Sequence, residues 1–246
     1  MILENYKVIV IFIVIISLYY LFFKSIKPNT SCISLNNDNI LNSNIDIIKI
    51  SQDIVYIENI FNTDFFNNIK SKTLEIIDGD MDVNKNFLRQ NKTISSIKLQ
   101  NTILYNLYMN KNLQVLLSSV VNKKLKNVDC DDLSWGNIIS YSKPGDNIIW
   151  HYDPNHYKGS RFTVLIMVNN KSTMDLVYVL DNKEKILRMK ENSLLIFNGA
   201  KVLHKTTKLE KDQKRDLISY TYCDTCESTP FGNSFKYIKE KILGYY

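Results

Sequence analysis

Residues 137–153 read NIISYSKPGDNIIWHYD. Two runs rich in β-branched and aromatic residues flank KPGD, where Pro144 and Gly145 supply turn chemistry. The same texture continues in RFTVLIMVN (161–169), LVYVL (176–180), KILRM (185–189), SLLIF (193–197) and DLISYTYC (216–223), separated by NNKS, DNKE and NGAK turns. Strands this short and closely spaced point to a sandwich or barrel. Upstream the pattern differs. DIVYIENIF (53–61) reads as a strand, and a helix begins near Thr63 or Asp64, with Phe65, Ile69, Leu74 and Ile77 at roughly helical spacing. A second helix is expected from about Ser96 to Tyr108. A third, NLQVLLSSVVNKKL (112–125), ends in lysines that complement the helix dipole. Helices first and clustered strands afterwards describe an α+β chain.

With 246 residues, seven glycines and four prolines, the chain is long enough to bury a sizeable core and is neither collagen-like nor of low complexity. Its net charge of +6 is dispersed, and the densest basic run, Lys123-Lys124-Leu125-Lys126, reads as a solvated helix end. A nucleic-acid reader gathers positive charge into a patch or stripe, so composition argues against that partner. Of the four cysteines, Cys32, Cys130, Cys223 and Cys226, only the last two form a CxxC, which argues against a zinc ribbon. On spacing alone, Cys223 and Cys226 remain a redox pair, a local disulfide or two incidental thiols.

Val8 to Phe23 carries no charge and is bracketed by Lys7 and Lys24. Sixteen helical residues span about 24 Å, a little less than a ~30 Å hydrocarbon core, and Tyr6 with the flanking lysines extends that reach. No small-residue cleavage site closes the run, so an uncleaved single-pass membrane anchor over residues 1–27 is expected. Lys24 and Lys27 follow it while Lys7 and the amino terminus precede it, so charge does not orient it. The triplets at Asn29, Asn91 and Asn170 suit a domain on the lumenal face of the ER or Golgi. Residues 28–45 are polar and read as a linker, leaving residues 46–246 as one domain.

Three histidines serve the whole chain: His151, His156 and His204. His151 and Asp153 are two apart, so on an extended strand they share a face. His204 follows the SLLIF strand, and neighbouring strands of a closed sandwich can bring it beside them. Two imidazoles and one carboxylate on one side of a metal leave the opposite positions open, the logic of non-haem iron oxygenases. His156 is odd in parity to His151 and follows Pro154, which places it on a loop near the entrance.

The stretch Ile54 to Tyr222 resembles the 2-oxoglutarate- and Fe(II)-dependent dioxygenases, most closely the prolyl 4-hydroxylase-like branch. YSKPGDNIIWHYD matches the branch's Tyr…Gly…H-x-D segment through Tyr141, Gly145, His151 and Asp153. SRFTVLIMVNN is similar to its Arg…Thr strand, and LRMKENSLLIFNGAKVLHKTTKL to the stretch ending in the distal histidine, 51 residues past Asp153. Tyr141 stands one residue farther from Gly145, and Arg161 one residue closer to Thr163, than the family's usual spacing.

The resemblance implies a double-stranded β-helix of the jelly-roll or cupin type with N-terminal supporting helices. It implies Fe(II) held by His151, Asp153 and His204, with 2-oxoglutarate and O₂ as cosubstrates and ascorbate as a reductant. A buried cation about ten residues past the distal histidine would take the far carboxylate of 2-oxoglutarate. Lys214 and Arg215 are the candidates, and Arg215 is preferred because it shares strand parity with Leu217, Ser219 and Thr221 and has a planar fork for a carboxylate. Tyr141 and Thr163 would line the same pocket. The reaction implied is hydroxylation of a C–H bond, with a prolyl residue of a peptide or protein as first substrate. A nucleic-acid demethylase of the same superfamily, or an inert binding module that keeps the fold, is the rival.

Overall fold

In the computed structural model the described residues are 36, 38–79, 89–129 and 132–229. The apolar run Val8–Phe23, Asn29, Cys32 and Cys130 lie outside them. Among the described residues no helix is long and apolar enough to cross a membrane.

An eight-stranded antiparallel sheet forms the backbone of the fold. Its order is β1 (Asp46–Ser51), β2 (Ile54–Glu58), β11 (Ser193–Phe197), β8 (Arg161–Lys171), β13 (Lys214–Cys223), β6 (Gly136–Tyr141) and β4 (Lys92–Ser95), with β5 (Lys126–Asn127) also paired to β13. A smaller sheet of β10 (Lys183–Leu187), β9 (Leu176–Leu180) and β12 (His204–Thr206) accompanies it, and β3 (Arg89–Gln90) pairs with β7 (Asn147–Ile148).

The long strand β8 shows why the two-layer jelly roll forms. Phe162, Val164, Ile166 and Val168 join the core on the helix side of the large sheet. Leu165 and Met167, alternating with them, join a second core shared with Leu176 and Tyr178 of the small sheet. Both faces of β8 are covered, so it reads as an unbroken apolar run rather than as alternating hydrophobic and polar residues.

The helix side is closed by α1 (Thr63–Gly79), α2 (Ile103–Tyr108) and α3 (Lys111–Val120). α1 buries Phe66, Ile69, Thr73 and Ile77, close to the expected face. The single helix expected from Ser96 to Tyr108 is instead a 3₁₀ turn, Ser96–Leu99, followed by α2. Asn101 adopts φ 60° and Thr102 caps α2 by accepting from the Leu104 amide, so the backbone restarts there. α3 is capped by Asn110 and ends at Val120, with Asn122 at φ 51°. The lysines at 123 and 124 therefore lie beyond its last turn. Lys123 reaches Asp224 instead, at 2.8 Å.

The expected linker is fastened to the domain over its described part. Asn36 exchanges backbone bonds with Met109 and Lys111, Asn42 donates to Ile60, and Ile40 is buried. Asparagine amides make this packing: Asn110 Nδ2 donates to Asn36 Oδ1 and to the Asp38 carbonyl. The packed body therefore begins upstream of the expected boundary at 46. Of the candidate glycan acceptors, Asn91 is buried with its Oδ1 accepting from Thr93, and Asn170 donates through Nδ2 to the Met189 carbonyl. Both serve the fold. Cys223 and Cys226 form a disulfide, with Cα atoms 5.3 Å apart, that closes the turn after β13.

Candidate metal centre

The strand expected across NIIWHYD covers only Asn147–Ile148. Asp146 ends the preceding turn, its carboxylate accepting from the Ser142 and Lys143 amides, while Gly145 takes φ 87°. The chain leaves β7 and returns to regular pairing for one residue, where His151 and His204 exchange two backbone hydrogen bonds of 3.0 Å. That isolated bridge joins β12 to the HxD segment and sets the two imidazoles side by side, ring centroids 4.2 Å apart.

Ligand atoms of His151, Asp153 and His204 all lie within 4.8 Å of one another. The Asp153 Oδ1 atom is 3.6 Å from His151 Nε2 and 3.9 Å from His204 Nε2. His151 Nδ1 sits 2.8 Å from the Ile149 carbonyl and His204 Nδ1 2.8 Å from the Val202 carbonyl. A carbonyl only accepts, so each Nδ1 carries a proton, and each Nε2 is left facing Asp153, the side on which a metal would be held. The ring orientation a metal needs is set by the backbone.

Asp153 is fixed from several sides. Its amide donates to the Gly199 carbonyl at 2.9 Å, and Thr163 Oγ1 donates to Oδ2 at 2.5 Å. Arg161 Nη1 stands 3.5 Å from Oδ2. Burial by itself would push the Asp153 carboxyl up, but His151, Arg161, His204 and Thr163 together hold it well below the usual carboxylate range. It stays anionic at neutral pH, as a cation ligand must. Gly199 passes so close that a Cβ there would come within 2.1 Å of Asp153 Oδ2. The Gly199 approach was not visible in sequence, where NGAK reads simply as a turn; for Arg161 an acid partner was expected, and the structure supplies Asp153.

The triad opens into a cavity of about 70 Å³ between the two sheets, open to solvent at its mouth. Tyr141, Thr163 and Arg215 line the same space, with Leu176, Phe197 and Leu217 as apolar walls. Arg215 faces Tyr141 across the β6–β13 pair, its guanidinium carbon 5.9 Å from the ring centre. It is 1% exposed, and burial lowers its proton affinity. Nη1 donates to the Met174 carbonyl at 3.3 Å, whereas Nε has no partner. Among the described residues no carboxylate hydrogen-bonds or forms an ion pair with this buried cation, and Asp175 favours its charge only from farther off. Lys214, the alternative anchor, is partly exposed, its Nζ 3.8 Å from Asp216, away from the cavity. Strand parity therefore selects Arg215 as the cavity cation. Thr163 lines the cavity as expected, but its hydroxyl is committed to Asp153. His156 is outside the ligand cluster, its carbonyl accepting from the Thr229 amide.

The donor set suits a divalent first-row metal: two imidazoles and one carboxylate, grouped and oriented side by side. No protein-family model matches the chain, and no curated protein matches it. Solved structures do match its fold. A prolyl-4-hydroxylase from Pseudomonas putida has a TM-score of 0.52 and 11% identity, covering 69% of this chain and 91% of its own. A prolyl hydroxylase from Trichoplax adhaerens, in complex with a peptide fragment of the hypoxia inducible factor oxygen degradation domain, has a TM-score of 0.54 and 16% identity, over 71% and 84%. HygX from Streptomyces hygroscopicus, with nickel, 2-oxoglutarate and hygromycin B bound, has a TM-score of 0.54 and 11% identity, over 69% and 82%. The chain has the antiparallel jelly-roll fold of the 2-oxoglutarate–Fe(II) oxygenases, with a His-Asp-His triad in place.

Proposed function

We propose that the protein is an Fe(II)- and 2-oxoglutarate-dependent dioxygenase that hydroxylates a C–H bond, with a prolyl residue of a peptide or protein as substrate. One observation carries the reading: a His151–Asp153–His204 ligand set and a buried guanidinium whose Nε is unbonded, and which forms no ion pair with a carboxylate among the described residues, share one cavity. His151 and His204, through Nε2, and Asp153 would hold the iron. Arg215 would take the far carboxylate of 2-oxoglutarate, its two Nη groups and Nε forming a fork that matches a planar anion. Tyr141 and Thr163 would wall the same pocket, Thr163 also steadying Asp153. When bound, iron and 2-oxoglutarate supply with O₂ the oxidising chemistry that leaves a hydroxyl on the substrate and releases succinate and CO₂, ascorbate keeping the metal ferrous. The apolar walls exclude water around the reacting groups.

The peptide substrate is supported by the cavity's opening to solvent and by the exposed apolar side chains of Ile149 and Tyr152, which are near His151 in the chain. It is also supported by the peptide held in the Trichoplax structure. HygX, with hygromycin B bound in a similar fold, supports a small-molecule substrate as a second reading. The apolar run 8–23 supports an anchor over residues 1–27.

The experiment is anaerobic absorption spectroscopy of the full-length chain with Fe(II) and 2-oxoglutarate. A weak visible charge-transfer band should appear and be lost in His151→Ala. Its absence from the folded wild type overturns the reading. Succinate release with prolyl peptides, set against small hydroxylated acceptors, then chooses between the two substrate classes.

A further inference from the structure

Arg215 is the second residue of β13, where a strand end frays, and its side chain is lightly held. Nη1 makes one bond of 3.3 Å, Nη2 lies 4.0 Å from the Met189 sulfur, and Nε makes none. The next residue is anchored far more firmly. Asp216 is fully buried, outside the cavity. Its carboxylate accepts from Ser140 Oγ of β6 at 2.6 Å and from Asn169 Nδ2 of β8 at 2.8 Å.

An irregularity in β8 makes the second bond. Asp216 pairs with Asn169 while Leu217 pairs with Met167, so Val168 is an extra residue opposite β13. Val168 packs into the helix-side core, and strict alternation would then turn Asn169 toward the cavity. The bulge breaks that alternation and lets Asn169 meet Asp216. Burial raises the proton affinity of Asp216 against these two bonds and Lys214. A well-packed apolar residue would be less costly here, so stability alone does not account for a carboxylate.

We propose that the Ser140–Asp216–Asn169 cluster is a positioning device for Arg215: it pins the neighbouring residue away from the cavity, across three strands, and so holds the guanidinium inside at one depth opposite Tyr141. None of the three lines the cavity, so they act through Arg215 rather than on a ligand. The inference rests on the reading of Arg215 as the anchor for the far carboxylate of 2-oxoglutarate.

The test compares binding of 2-oxoglutarate with that of 2-oxobutyrate, which keeps the keto-acid end and lacks the far carboxylate. It uses calorimetry on the full-length protein loaded with Mn(II). The wild type should prefer 2-oxoglutarate by about tenfold or more, the weight of charge-assisted hydrogen bonds. Asp216→Leu and Asn169→Ala should reduce that preference by about tenfold while Mn(II) affinity stays unchanged. Asp216→Asn should keep it within about twofold, because the Asn169 amide and Ser140 hydroxyl can reorient to retain both bonds. In an Arg215→Met background, Asp216→Leu should remove nothing further. If Asp216→Leu does not fold, Ser140→Ala removes a single bond and should reduce the preference about threefold. A purely structural role would lower the melting temperature and leave the preference alone. Wild-type preference retained in Asp216→Leu and Asn169→Ala, but lost in Arg215→Met, overturns the positioning role. A wild type without preference overturns the cosubstrate reading and takes this inference down with it, a pattern distinct from the first.

Discussion

Replacing Gly199 by alanine probes the metal ligand set from the backbone side. Gly199 lies between β11 and β12, and its carbonyl receives the Asp153 amide. A Cβ at this position would stand 2.1 Å from Asp153 Oδ2, 2.6 Å from Cγ and 2.7 Å from Cβ. Ordinary contact begins at 3.4 Å, so Oδ2 must retreat by about 1.3 Å (3.4 − 2.1) or the turn must move away. Oδ2 is also the atom that accepts from Thr163 at 2.5 Å and faces Arg161 at 3.5 Å, so either response dismantles the shell around the ligand. Losing such outer partners costs about 10–100-fold in metal affinity, and displacing the ligand itself puts the loss at the upper end. Gly199→Ala should therefore weaken Mn(II) or Fe(II) binding about 100-fold, or ~2.8 kcal/mol, measured by anaerobic calorimetric titration. Gly145→Ala is the control. Its site has open space around a Cβ but a φ of 87°, so backbone strain should lower the melting temperature and leave metal affinity intact. A folded Gly199→Ala protein that binds metal within threefold of wild type refutes the reasoning.

Two further predictions follow from neighbouring contacts. Thr163→Val keeps the shape but removes the 2.5 Å bond to Asp153, so metal affinity should fall about tenfold; if 2-oxoglutarate affinity drops instead at saturating metal, Thr163 serves the cosubstrate and not the ligand. At Asp224 burial acts to raise the carboxyl, but Lys123 and the Ser160 amide hold it below its ordinary 3.8, so its stabilisation is present above that pH and lost as pH falls through the lower folded value; Asp224→Asn should melt earlier than wild type at pH 7, the gap should narrow progressively as pH falls below 3.8, and a gap that does not narrow in acid counts against the pairing.

Much of the fold was legible because its signals are local. The apolar runs at 161–169, 193–197 and 216–223 coincide with β8, β11 and β13, since strands covered on both faces must be apolar at nearly every position. The failures also have local causes. Periodicity carried one helix across Ser96–Tyr108, but Asn101 in a left-handed conformation and the Thr102 cap divide it. Polarity marked residues 28–45 as a tether, yet asparagine side chains bond backbone as readily as water, and Ile40 supplies burial that fastens the described part of that stretch. At the site, residue types, parity and the family resemblance together singled out His151, Asp153, His204 and Arg215, and the structure brings these four to one cavity. They were not enough to see that the Thr163 hydroxyl belongs to Asp153, because that bond joins β8 to a loop through space.

Residue order alone determined which groups exist to bind a cation and an anion, and, within the regular strand β13, that Arg215 and not Lys214 shares a face with Leu217, because side-chain direction in a strand follows a two-residue period that needs no partner strand. Only the tertiary structure decided that His204 lies beside His151, that backbone carbonyls turn both rings toward Asp153, and that a bulge at Val168 lets Asn169 secure the residue next to Arg215. Those outcomes depend on register and on distances between segments far apart in the chain, which the packing of two sheets sets and no single stretch encodes.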